Sequence, residues 1–417
     1  MGTGSLALTL KDNKTSRNLF WYIALLYAVV FMTKNCFGTA LAGIVAEGIM
    51  TKSQTGLITS AFYIVYAPLQ IVGGMLSDKV RPDRLIKLGL FGGILSNAVI
   101  FVNHNYYVML TAWVINGIMQ SALYPALFKI ITSQLSPAWR KKGLFYFSFS
   151  SASGLIFGYV IAAFVTKWQY NFLVSAVCSL LLYVTFSAVY KKAYGKMVPE
   201  EAEEKEEKTA APVSVKTVSL FLLSGFFFIL PVNFFRYMVD NSLKNLTPVM
   251  LMESYPNLNV TISNLLNVII LVSGLFGILL VRKFLYPKHM KNEVGCILFL
   301  SVLMLPCAFI IKFTGVINVW FVLIAMCILA MCLSGAVLMN SFYTGCFAAY
   351  GKNGTAAGVG NAATSLSIVL QSYGFAFIAD KFGWGAVTTA YIVCIVLCIL
   401  FTSCALPFWT KFRKEEK

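Results

Sequence analysis

The chain alternates between long apolar runs and short polar or charged connectors. Runs of roughly 20 residues without Asp, Glu, Lys or Arg recur along it, about the length a helix needs to cross a hydrocarbon core of about 30 Å. With capping and turn residues as boundaries, helices are predicted at roughly 19–45, 55–77, 85–102, 107–131, 143–166, 170–190, 217–250, 262–284, 293–311, 319–349, 355–379 and 385–408. Lipid offers backbone groups no hydrogen bonds, so each run must close its own as a helix; the short alternating pattern of a membrane barrel is not seen. The pattern therefore predicts an all-α membrane protein with twelve transmembrane helices, its solvent partner the lipid bilayer.

The longest polar stretch, 191–216, separates six runs from six. Its centre, Pro199-Glu200-Glu201-Ala202-Glu203-Glu204-Lys205-Glu206-Glu207-Lys208, is too charged and too poor in apolar residues to fold alone. The expected domains are a six-helix bundle over 1–190, a charged cytoplasmic linker over 191–216, and a second six-helix bundle over 217–417. An equal split implies two similar bundles related by an axis along the membrane normal, with a solute site near the midplane between them and helices 1 and 7 as counterparts.

Composition sharpens this picture. Of the 417 residues, 59% are hydrophobic and 12% charged, about half the charged fraction of a soluble protein. The net charge of +17 would suit nucleic acid, but its placement argues otherwise. The side holding the N-terminus takes 25 of the 33 Lys and Arg, the opposite side five, and the spans three. That asymmetry predicts cytoplasmic termini and a plasma (inner) membrane location, with no nucleic-acid partner. The first apolar run of about 27 residues exceeds a signal-peptide core of about 7–15, so the first helix is expected to remain in place.

All ten cysteines fall in predicted spans without paired spacing or neighbouring His, which suggests packing residues and no metal or other cofactor. His104 and His289 lie in predicted loops on opposite faces and no Ser/His/Asp constellation is visible, so no enzyme is expected. A channel fits poorly with a six-plus-six carrier layout, and a functional monomer is expected.

An ionisable group at the centre of a span costs at least about 2.5–3.5 kcal/mol, so each one needs a reason. Lys34 lies deep in span one and Arg236 deep in span seven, at comparable heights on counterpart helices. Two such charges facing a shared cavity would bind an anion, Arg236 through bidentate bonds and Lys34 as a compact point charge. The alternative is snorkelling, or pairing with Glu47 or Asp240. Lys129, near the cytoplasmic end of span four, reads as a snorkelling lysine. No acid lies deep in a span, which favours an anionic solute over a cation. Asn35, Asn233, Tyr237, Gln120, Tyr124, Asn361 and Gln371 are further candidates for the substrate site. Ser148, Ser150, Ser151, Ser153, Asn340 and Tyr343 are weaker ones, since small polar residues also serve helix packing.

The loop after span two reads Gly73-Gly74-Met75-Leu76-Ser77-Asp78-Lys79-Val80-Arg81-Pro82-Asp83-Arg84. It resembles the signature between helices 2 and 3 of the major facilitator superfamily. That resemblance implies alternating access with a cytoplasmic latch, and assigns Asp78, Lys79 and Arg84 to gating. The equivalent loop after span eight keeps its bases, Arg282 and Lys283, and lacks the acid.

Within that superfamily, Thr33-Lys34-Asn35-Cys36-Phe37, Gly56-Leu57-Ile58-Thr59-Ser60, Asn233-Phe234-Phe235-Arg236-Tyr237-Met238-Val239-Asp240 and Gly354-Thr355-Ala356-Ala357-Gly358 resemble the organophosphate:phosphate antiporters. In that group a basic pair on helix 1 and an arginine on helix 7 hold phosphate, and Lys34 and Arg236 stand at matching positions. Three departures leave the cradle incomplete: the group's first helix-1 base is Thr33 here, its helix-2 lysine falls at Gln70, and its helix-5 histidine falls near Ala152 or Ser153. The resemblance implies a secondary transporter of a small organic anion, an organophosphate exchanged for phosphate among the options. A symporter of a small carboxylate or other organic anion and a transporter-like sensor of a phosphosugar stay open beside it.

Overall fold

The computed structural model describes residues 8–165, 167–199, 217–350 and 352–415, and is helical almost throughout. The first half contains β1 (Leu8–Leu10), α1 (Asn13–Lys34), α2 (Cys36–Ala46), α3 (Lys52–Lys79), α4 (Pro82–Val102), α5 (Tyr106–Gln120), α6 (Leu123–Lys129), α7 (Pro137–Phe164), α8 (Gln169–Tyr194) and β2 (Met197–Pro199). The second contains α9 (Thr217–Leu223), α10 (Phe226–Asn245), α11 (Thr247–Ser254), α12 (Val260–Leu280), α13 (Glu293–Ile311), α14 (Val319–Gly345), α15 (Asn353–Phe382) and α16 (Trp384–Glu415). Short π-helical turns continue α6 at Ile130–Gln134 and α12 at Val281–Leu285.

Among the described residues, ten helical runs are long and apolar enough to span a membrane; the bent pair Pro137–Leu144 and Phe149–Phe164, meeting at 49°, makes an eleventh. The expected seventh span is helical too, but it comes as α9, α10 and α11. Gly225 sits at φ +70° between the first two pieces, a left-handed conformation that glycine adopts without the Cβ penalty other residues meet. In the third and fourth spans the boundaries follow the caps: Pro82 starts α4 at its first turn, and the Asn105 side chain accepts from the Tyr107 and Val108 amides to start α5.

The chain separates into two compact units, one of Met1–Met50 with Ala61–Glu207 and one of Thr51–Ser60 with Lys208–Lys417. The break falls inside the polar stretch 191–216, and the first ten residues after Met50 cluster with the second unit. Helix neighbours repeat from unit to unit. In the first, α1 packs on α7, and α4 packs on both α5 and α8. In the second, α10 packs on α15, and α13 packs on both α14 and α16. Counting spans in order, these are the same pairings displaced by six, the internal repeat the even split implies.

Close helix approach rests on glycine. A Cβ at Gly154 would lie 2.1 Å from the Ala28 carbonyl oxygen, and one at Gly277 would lie 2.3 Å from the Met331 carbonyl oxygen. Backbone-to-backbone contact of this kind is how membrane helices associate where burial of apolar surface supplies no drive. Large apolar side chains point outward in compensation: Val102 is 75% exposed and Phe164 71%. Such a surface is stable in hydrocarbon and a liability in water.

One element has no counterpart in the pattern of hydrophobic runs. Strand β1 pairs antiparallel with β2, Leu8 opposite Pro199 and Leu10 opposite Met197. Leu10 is fully buried in the first unit's core. The Thr9 hydroxyl donates to the Leu135 carbonyl and accepts from Arg140.

Candidate functional site

In the first unit the site is built at a helix break. The Asn35 side chain donates to the Phe31 carbonyl 2.7 Å away, competing with the backbone ladder; α1 stops at Lys34 and α2 starts at Cys36. Lys34 is left at that break, 7% exposed, with its ammonium 4.2 Å from the Phe31 ring centroid and 5.3 Å from the Tyr66 ring centroid. It makes no ion pair with any described residue. Aromatic faces compensate a buried cation only in part, about 2 kcal/mol when desolvated, so the charge retains attraction for an anion.

Around it lie side chains that sequence reading missed. Tyr27 stands 6.1 Å from Phe31 and 5.4 Å from Tyr124, ring to ring, and Tyr63 lies 6.0 Å from Tyr66. The hydroxyls of Tyr27, Tyr63, Tyr66 and Tyr124 make no hydrogen bond to a described residue. Only Tyr124 was among the expected site residues. The others escaped because a tyrosine in an apolar run has the pattern of a packing residue.

Gln120 ends α5 and donates to Asn116 Oδ1 at 2.8 Å, while its own Oε1 is buried without a partner. A Cβ at Gly93 would come within 3.0 Å of Gln120 Nε2 and 3.9 Å of Thr33 Oγ1. Thus Lys34, Tyr124 and Gln120 belong to one polar region of the first unit, and Asn35 shapes the backbone beside it.

In the second unit Arg236 is buried on α10. Its guanidinium donates to Asn233 Oδ1 at 3.1 Å and to the Leu333 carbonyl at 3.3 Å, and stands 4.6 Å from the Tyr237 ring. Asn233 in turn donates to Asn340 Oδ1 at 3.2 Å. Both acceptors on Arg236 are neutral. Asp240, the neutralising partner the sequence left open, takes Lys244 at 2.5 Å instead, because i and i+4 share a helix face. Arg236, Asn233 and Tyr237 therefore form one cluster. Asn361 is exposed on α15, and Gln371 is 1% exposed with its Oε1 unpartnered; no described contact joins either to Arg236.

The gating residues give a narrower result. The side chain of Asp78 lies outside those described, and Lys79 and Arg84 are exposed. Arg81 pairs with Asp83 at 3.0 Å. Lys129 donates to the Ser77 carbonyl, one residue before Asp78, so this lysine ties the end of α3 to the end of α6.

Two ionic clusters of the second unit also went unforeseen. Lys52 lies 2.8 Å from Glu253 and 3.4 Å from Asp380, and the Trp384 indole donates to Glu253 at 2.7 Å. Glu293, 1% exposed at the start of α13, accepts from Tyr286 at 2.7 Å, Trp409 at 2.9 Å and Arg413 at 3.4 Å. Each acid is remote in sequence from its partners, which hid both clusters from motif reading.

Similarity to known proteins agrees with this arrangement. The chain is 27% identical over 120 residues to the membrane sensor protein UhpC of Escherichia coli, a stretch covering 29% of this chain and 27% of that protein. It is 25% identical over 288 residues to a probable hexose phosphate transport protein of Chlamydia trachomatis, covering 63% of this chain and 62% of the other. The matched stretches thus span less than two thirds of either relative. In fold it is similar to the crystal structure of a bacterial homologue of the human lysosomal transporter Spinster, with a TM-score of 0.71 at 13% identity, covering 95% of this chain and 97% of that one. The Major Facilitator Superfamily profile matches residues 23–372. With that match, the helical repeat and the two unneutralised buried cations in view, the chain belongs to the Major Facilitator Superfamily of multi-pass membrane transport proteins.

Proposed function

We propose that the protein is a secondary transporter exchanging small organic anions by alternating access, with an organophosphate against phosphate as the leading substrate pair. The observation that carries this reading is the pair of buried cations, Lys34 and Arg236, one in each unit, with no carboxylate paired to either among the described residues. A buried charge without a counter-ion is costly. A mobile anion that supplies the missing charge recovers that cost on binding. The four tyrosine hydroxyls near Lys34 and the Asn233 carboxamide on Arg236 add neutral donors, which suit an oxyanion where the family's further bases are replaced by Thr33 and Gln70.

In this reading anion occupancy is needed for the units to change state, so exchange exceeds net uniport. Asp78, Lys79 and Arg84 serve as the cytoplasmic latch, the termini lie in the cytoplasm at the plasma (inner) membrane, and the monomer suffices. The similarity to a hexose phosphate transport protein supports a phosphorylated solute.

Reconstituted vesicles loaded with phosphate test the proposal. External hexose phosphate is expected to drive phosphate release, and Lys34→Ala or Arg236→Ala to abolish it; unchanged exchange in both variants removes the site assignment. The similarity to a membrane sensor favours a second reading, in which the same site binds a phosphosugar without moving it. Saturable binding with no counterflow in the same vesicles selects that reading.

A further inference from the structure

Nine residues, Glu200 to Lys208, hold six of the chain's 16 acidic groups and only two lysines, a net charge of −4. They directly follow Pro199, the last residue of β2, and that strand is fixed in the first unit by its pairing with β1. The acidic run therefore leaves from a defined point on the surface.

Basic side chains from three segments converge on that point. Lys196 Nζ donates to Thr15 Oγ1 at 3.3 Å, which brings the end of α8 to the start of α1 and its exposed Lys14 and Arg17. The Arg81 guanidinium stands 5.2 Å from the Tyr194 ring, which brings the α3–α4 connection, with exposed Lys79 and Arg84, to the same end of α8. Lys191 and Lys192 are exposed there as well. One acid, Asp83, is engaged by Arg81 in this group; Asp12 caps α1 through the Lys14 and Thr15 amides.

We infer that the acidic segment 200–208 is the resident partner of this cationic face of the first unit. The charges are complementary, and nine residues reach at most about 30 Å, enough to run from Pro199 across the three basic segments. Tethering at Pro199 gives the acids an effective concentration in the millimolar range, which no free anion needs to match. Each exposed pair is worth less than about 1 kcal/mol, so the contact is a many-sided one and weakens with salt as the screening length falls below about 10 Å. Anionic lipid headgroups are the competing occupant of the same bases. The docked segment spends part of the positive face that Lys79 and Arg84 contribute.

The test is zero-length carbodiimide cross-linking of the full chain in phosphatidylcholine nanodiscs, read by peptide mass spectrometry. Links from Glu200–Glu207 to Lys14 and Lys79, remote in sequence, are expected, and they should fall several-fold between about 50 mM and about 500 mM salt. Links confined to the sequence neighbours Lys191, Lys192 and Lys196, or made to lysines of the second unit, overturn the inference. A second variant replaces all six glutamates of the run by glutamine. It should bind phosphatidylserine vesicles several-fold more tightly than the parent, because the face is uncovered. Equal binding shows that the acids do not occupy it and also overturns the inference.

Discussion

Lys34 and Arg236 show how far a single residue type can be read. Each is conspicuous because charge in a span is expensive, and the structure adds that each is left with neutral company. Lys34→Ala should weaken phosphate or hexose phosphate binding by about 30-fold or more, the equivalent of at least about 2 kcal/mol for losing one charged partner. Arg236→Lys keeps the charge and loses the planar fork, so its loss in titration calorimetry should be smaller than that of Arg236→Ala. Tyr66→Phe keeps the ring beside Lys34 and removes only a hydroxyl. A drop of about tenfold in anion affinity is expected if that hydroxyl donates to bound anion, and no change otherwise. Asparagines 35 and 233 were legible as polar residues in spans. Their separate jobs, breaking a helix and orienting an arginine, depend on partners four and three residues away that only coordinates identify.

At the scale of elements, helix contacts set by glycine are the sharpest structural claims. Gly154→Ala and Gly277→Ala each place a methyl group against backbone that cannot swing away, and each should cost about 1–3 kcal/mol, measured as lost thermal stability in detergent. Gly74→Ala, with open space around it, is the control and should change little. The start of α3 offers a different test. Lys52 holds Glu253 and Asp380, and the Ser53 amide donates to Asp380 at 2.7 Å. Replacing Lys52 with Met leaves two carboxylates facing each other, so a thiol reporter introduced by Ser53→Cys should label several-fold faster in the Lys52→Met background. At the other end of the first unit, Asp12 is held below the usual carboxylate range, chiefly by the Thr15 hydroxyl and then by the Lys14 and Thr15 amides. Its folded-state value is depressed, so its capping contribution is complete above about pH 4 and is lost as pH falls through the lower folded value. Hydrogen exchange at the Lys14 and Thr15 amides should accelerate in acid accordingly, and should not do so in Asp12→Ala, where the cap is already gone.

For the whole molecule, the even distribution of apolar runs and the lopsided distribution of basic residues carry most of the architecture. Six-plus-six organisation was readable because lipid admits only helices, so hydropathy maps almost directly onto elements. The seventh span shows the boundary of that rule: Gly225, Arg236, Asp240 and Lys244 make its hydropathy irregular, and there the helix is segmented. The β1–β2 ribbon was unreadable for the opposite reason, since three-residue strands joining the two ends of a unit leave no periodic signal. Reporter tags at both termini should be protected on the outer face of intact cells if the basic residues set orientation.

The sequence by itself determined the solvent, the secondary structure class, the number of helical runs and the two expensive charges, because each of these is a local property weighed against lipid. Tertiary structure alone decided which charges are neutralised. Asp240 and Glu293 are both buried, yet Lys244 satisfies one, and Arg413, Trp409 and Tyr286 satisfy the other, while Lys34 and Arg236 keep their charge available. Neutralisation is a matter of a few ångströms between residues up to about a hundred positions apart, and no periodicity along a chain encodes that distance.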